Sequence, residues 1–150
     1  MFRGPIVLLA ALFLVTACGG TSPYAIQSEI DAGSFEGAAE KLAKRRDAYP
    51  DDFDTRLNLA DIYYQLARES LDAKNQTAYV DYLAKAQAEV LEAVRIDPTS
   101  PRPHTWLGII TAYQGDLDSS ETSFKNALRL NLAERMELRA GTYYSNIAHI

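Results

Sequence analysis

From residue 22 onward, helix breakers cut the sequence into stretches of helix length. They fall at Gly33, Pro50-Asp51-Asp52, residues 72–77, Asp97-Pro98-Thr99-Ser100-Pro101, Gly115-Asp116 and Asn131. A proline just past a helix end and a glycine at its stop are the breakers such punctuation needs. Between them the apolar residues keep helical spacing. Tyr79, Leu83, Ala86, Val90 and Ala93 advance by four and three, and Leu59, Tyr63, Leu66 and Ser70 nearly so. No stretch alternates convincingly with period two. The pattern predicts helix after helix with no strand. With 47% hydrophobic and 23% charged residues, nothing in the composition calls for disorder.

Self-similarity at a fixed period takes precedence over single motifs. Leu107-Gly108, Gly115-Asp116-Leu117, Ser120, Phe124, Ala127-Leu128 and Leu130-Asn131 together resemble one full tetratricopeptide repeat. Ser120 replaces the usual alanine, Thr111 the usual tyrosine and Leu132 the usual proline. The small residues let two antiparallel helices approach closely, and Phe124 and the leucines fill the space between successive pairs. The same grammar appears earlier. Residues 31–42, with Gly33, Phe35, Ala38-Ala39 and Leu42, read as the turn and second helix of a first repeat ended by Tyr49-Pro50. Its first helix, about 22–32, is short and poor in signature residues. Residues 53–67 read as the first helix of a second repeat, and its partner carries Ala86, Val90, Ala93-Val94 and Ile96-Asp97-Pro98.

That second repeat is long. Leu59 to Pro98 spans 39 residues, against about 25 for the same pair in a unit of about 34. Seven added residues per helix, nearly two turns or about 10 Å, would keep both faces in register. Two long helices joined near 73–76 are expected to project beyond the row. After Asn131, residues 133–140 read as helix, and Tyr143-Tyr144-Ser145-Asn146-Ile147-Ala148 resembles the opening of a fourth repeat. The resemblance implies an all-α, TPR-like α-solenoid of stacked antiparallel pairs with an elongated middle hairpin. Its repeats lie at about 22–50, 53–98 and 101–131, with a partial one at 133–150.

The N-terminus is of another kind. Arg3 precedes an uninterrupted apolar run from Ile6 to Val15, followed by Thr16, Ala17, Cys18, Gly19 and Gly20. A positive start, about a dozen apolar residues and a small-residue exit form a secretory signal. A membrane-spanning helix needs about 20 apolar residues, so export is the better reading. Leu14-Val15-Thr16-Ala17-Cys18 resembles the lipobox of bacterial lipoproteins, with the chain's one cysteine at the required place. The resemblance implies a leader at 1–17, acylation of Cys18, a lipidated tether at 18–23 and a helical domain at 24–150. Several acyl chains hold where one gives only marginal attachment. Gly19, rather than an aspartate, follows the cysteine, which leans towards the outer membrane with the protein facing the periplasm.

The formal charge is −5 and becomes more negative once Arg3 leaves with the leader. An acidic balance argues against nucleic acid, whose binding depends on neutralised phosphates. His104 and His149 are the only histidines, and no cluster has metal-ligand spacing, so no metal and no cofactor is expected. Asp51-Asp52 and Asp116/Asp118 sit at helix starts, where carboxylates cap free N–H groups. A glycosidase-like pair among them is the lesser reading. Lys41, Lys44, Arg45 and Arg46 form one basic cluster, read as a solvated helix face in preference to a phospholipid contact. Tyr63 and Tyr79 fall at seam spacing. Tyr64, Tyr82 and Tyr113 look less buried and are candidates for partner contact.

In tetratricopeptide proteins the first helix of each pair lines a concave groove. The matching positions here are Leu57, Asp61, Tyr64 and Gln65, then Arg102, Thr105, Ile109 and Tyr113, then Ser145 and His149. No lysine stands among them, so a clamp for a peptide C-terminal carboxylate is not supported. The resemblance implies a non-catalytic envelope scaffold that binds other proteins, as in assembly of a type IV pilus or an outer-membrane machine, with no small-molecule substrate. Two other readings compete with it: an enzyme or enzyme cofactor acting on peptidoglycan or glycans, and a structural lipoprotein that self-associates through its last repeat.

Overall fold

The computed structural model describes residues 21–147, with side chains as far as Met136. The leader, Cys18 and the side chains of Tyr143, Ser145, Ile147 and His149 lie outside the described residues. Six helices follow in order: α1 Pro23–Asp31, α2 Phe35–Ala48, α3 Phe53–Asp72, α4 Gln76–Ile96, α5 Pro101–Gln114 and α6 Leu117–Ile147.

Their starts are set by local chemistry. Ser22, Asp52 and Asn75 each accept from a backbone N–H three residues on, at 3.2, 3.1 and 3.1 Å. Asp116 does the same for Ser119 at 3.0 Å, and Ser100 accepts from Arg102. Each bond satisfies one of the donors a helix start leaves open. Pro23 and Pro101 open α1 and α5, where the missing N–H costs nothing. Gly115 ends α5 in the left-handed region at φ 85°, a conformation that a Cβ would strain.

Each helix packs on the one before it and the one after it. That nearest-neighbour packing is how a solenoid buries its apolar faces. Helix α3 joins two cores. Leu59, Ile62 and Leu66 meet Ile26 of α1 and Ala38, Ala39 and Leu42 of α2. Ala60 and Ala67, on its other side, meet Tyr79, Leu83, Ala86 and Val90 of α4 and Ile110 of α5. Ala60, Ala67, Ala86 and Ala93 are fully buried, so the lengthened helices lie close along alanine seams. Gly108 does this for the next pair. A Cβ there would lie 2.7 Å from the Phe124 ring, and the Ser120 hydroxyl donates to the Gly108 carbonyl at 2.7 Å.

The elongated hairpin is present as the sequence implied. α3 has 20 residues and α4 has 21, against 14 in α2 and in α5. Their joint, residues 73–75, falls within the expected stretch.

Two expectations are corrected. No turn occurs at Asn131, because α6 runs unbroken to Ile147. Leu132 stands where the repeat would have proline, and one asparagine costs a helix only a few tenths of a kcal/mol, about what other ordinary residues cost. The basic cluster of α2 is also not a simple solvated face. Lys41 pairs with Glu29 of α1, Arg45 with Asp52 at the head of α3, and Arg46 with Glu89 of α4. Only Lys44 of the four is mainly exposed. Arg56 of α3 holds the second oxygen of Glu89 at 2.7 Å, so one carboxylate ties α2, α3 and α4 together.

Candidate partner-binding groove

The first helices of the pairs, α1, α3 and α5, form one face. Between α1 and α3 lies a cleft of about 570 Å³, within the range of clefts that hold ligands. Its apolar side is Ile26, Ile30 and Ile62, and its polar side includes Asp54, Asn58 and Asp61. The buried members are there because α1 packs on α2 and α3 at this point.

Asp61 accepts from the Gln65 side-chain amide at 3.2 Å. Among the described residues it has no cationic partner. Asp54 and Arg102, each the second residue of its helix, pair across α3 and α5 at 2.8 Å. Asp52 also lines the cleft, but its oxygens are engaged by Thr55 and by Arg45. Burial works to raise the Asp52 carboxyl, yet the bonds from Thr55 and Arg45 outweigh it and hold it below the ordinary carboxylate value.

Next to the cleft stands an aromatic ridge. Tyr64 meets Tyr113 edge-on with ring centroids 5.2 Å apart, and Trp106 edge-on at 5.8 Å. Burial, aided by the Tyr113 hydroxyl, pushes the Tyr64 phenol up to about 12. Tyr113 remains 43% exposed, so part of the ridge is open to a partner. Tyr82 behaves differently. It stacks on Tyr63 at 6.2 Å, half-buried beside α2 and α3.

The residues matched to the groove therefore divide. Asp61, Tyr64, Gln65 and Tyr113 come together beside the cleft. Arg102 reaches it through Asp54, while Arg102 and Thr105 also line a second, more open cleft between α5 and α6. Ile109 is half-buried. Leu57 is a correction: it is 2% exposed and belongs to the interior, because the face α3 shows to the groove is narrower than repeat matching assumed. Position matching missed Ile26, Ile30 and Asn58, since α1 carries too few signature residues to be placed. Asp54 was legible, standing at the same helix position as Arg102.

Outside the groove, α6 carries Leu117, Phe124, Leu128, Leu132 and Met136, all at least 42% exposed. Asp116 caps α6, and Asp51 pairs with the Arg95 side chain of α4, so each is engaged apart from Asp52. Burial, with Arg129 nearby, holds the His104 imidazole below its ordinary value. No group of three or more His, Cys, Asp or Glu placed to hold a metal occurs among the described residues. No described helix is long and apolar enough to cross a membrane.

No family model and no curated protein matches the sequence. The solved structure of a thermophilic TPR protein from Thermus thermophilus matches with a TM-score of 0.63 at 24% identity. The match covers 71% of this chain and 54% of that one, so the chain spans about half the length of its structural relative. Two structures of MamA, 18% identical over 74% of this chain and covering 96% and 90% of theirs, have TM-scores of 0.35 and 0.33. Similarity that low carries no argument. The fold is TPR-like: an all-α solenoid of paired helices with a lengthened middle hairpin.

Proposed function

We propose that this chain is a non-catalytic scaffold that holds another protein on the face formed by α1, α3 and α5. The observation that carries this reading is the continuity of that face. An apolar-floored cleft and a half-open aromatic ridge adjoin through Asp61, Tyr64 and Gln65, which lie on one helix. Aromatic side chains with one exposed edge are the usual anchors of protein interfaces, and a face of this shape suits a helix or an extended peptide.

The leader and Cys18 support a location on the bacterial envelope, anchored by acyl chains and facing the periplasm from the outer membrane. There the scaffold would assist assembly of an envelope complex, such as a pilus or outer-membrane machine. Mass spectrometry of the N-terminal peptide of mature protein tests the anchor; a free thiol at Cys18 would remove it. For the groove, a photo-crosslinking residue at Tyr113 should trap a partner in the intact envelope, while one at Leu91, on the outer side of α4, should not. Equal trapping at both positions would count against the groove.

A second reading has one observation in its favour. The exposed apolar row on α6 is a surface that association with a second copy would bury.

A further inference from the structure

We infer that the cleft between α1 and α3 takes a basic amphipathic segment of a partner protein, one with a lysine or arginine flanked by aliphatic side chains. This rests on the groove reading above and adds the chemistry of the occupant.

The apolar half of that chemistry is set by Ile26, Ile30 and Ile62, which give the cleft a floor without polar groups. The charged half follows from which groups around the cleft remain available. Arg45 is the one cation among the lining residues, and it is engaged: its Nε donates to Thr55 at 2.9 Å and its Nη2 to Asp52 at 3.0 Å. Asp52 is neutralised by the same contact. Asp54 gives one oxygen to Arg102, outside the cleft, and keeps the other. Asp61 meets only the neutral Gln65 amide. Of the charged groups facing an incoming chain, the ones left free are thus carboxylate oxygens.

An acidic segment or a chain-terminal carboxylate would bring like charge against Asp54 and Asp61 and find no free cation. A basic side chain meets complementary potential there, which selects the partner and speeds encounter.

The test uses the full-length chain and two fluorescein-labelled peptides. One alternates leucine and lysine; its counterpart carries glutamate in place of lysine. Fluorescence anisotropy is read at low and at physiological salt, and circular dichroism melts establish that each variant folds. The leucine–lysine peptide should bind, more weakly at the higher salt, and the glutamate peptide should not. Asp61→Lys should weaken binding by about tenfold or more, and Asn58→Trp, which fills the cleft from an exposed position, should abolish it.

If both peptides bind equally and Asn58→Trp abolishes both, the groove stands and the charge preference falls. If the lysine peptide binds but neither variant affects it, binding lies elsewhere and the inference is overturned. If the lysine peptide does not bind the unaltered chain, the inference fails, while trapping at Tyr113 still decides the groove by itself.

Discussion

Tyr79 of α4 donates its hydroxyl to the backbone carbonyl of Tyr113 in the last turn of α5, at 2.7 Å. A helix end leaves such carbonyls without partners, so the lengthened hairpin closes the end of the helix stacked on it. The contact also fixes the residue whose ring meets Tyr64. Tyr79→Phe keeps the ring and loses the bond, and should cost about 1 kcal/mol. Urea unfolding would report it as a lower midpoint at unchanged slope; an unaltered midpoint would show the bond to be inconsequential.

Glu89 is the polar centre of the stack. With its side chain 8% exposed, it holds Arg46 and Arg56 at 2.7 Å each. Removing one partner of a fully buried ion pair costs about 3–5 kcal/mol. Here the arginine side chains are 26% and 13% exposed, so water recovers part of that. Glu89→Ala should destabilise by about 2–3 kcal/mol, well beyond the Asp81→Ala change in an exposed pair on the same helix, worth about 0.5 kcal/mol or less. Equal midpoints for the two variants would contradict the assignment.

The Gly108 position is closed by contact rather than by backbone conformation. Its Cβ would press on the end of the Phe124 ring at 2.7–2.8 Å; with that residue 42% exposed and alanine gaining about 1 kcal/mol of helix propensity, Gly108→Ala should cost about 1 kcal/mol net. Phe124→Leu in the same chain should recover some of that, because the two sites share one space. Simple additivity of the two changes in thermal melting would argue against the contact.

Tyr64 supplies a pH dependence. Its phenol is raised above the ordinary 10.0 to about 12, chiefly by burial. The unfolded chain therefore releases this proton first. Stability from Tyr64 is intact below pH 10 and declines as pH rises from there towards 12. Tyr64→Phe should flatten the fall in stability over that window. Unfolding midpoints collected across it would decide, and identical slopes in both proteins would refute the raised phenol.

The row on α6 predicts an effect of concentration. Leu128 and Met136 are 61% and 72% exposed, so Glu at both should leave the fold intact and reduce self-association. Light scattering on the full-length chain should show a smaller average mass for the double variant. A monomer at every concentration before the change would dismiss that second reading.

Much of the fold could be read from local signals. The breakers at Pro50, Asp97-Pro98 and Gly115, and the four-three spacing of Tyr79, Leu83, Ala86 and Val90, need only a few neighbouring residues to act. Insertion of whole helical turns was equally legible, because it preserves the seam. Asn131 misled for the opposite reason: a single weak helix former does not end a helix when no proline or glycine reinforces it. Leu57 misled because repeat position says which side of a helix a residue occupies, not how wide the open strip on that side is.

The sequence alone determined the helices as far as α5, the caps at Asp52 and Asp116, the pairing of neighbours and the length of the middle hairpin, since each depends on short-range spacing and turn chemistry. Only the tertiary structure decided which charges remain available. Arg45, Arg46 and Lys41 look like one solvated patch along the chain, but each meets an acid outside α2, while Asp61 meets no cation among the described residues. Pairing across helices depends on where stacking places side chains in space, and no local pattern records that distance.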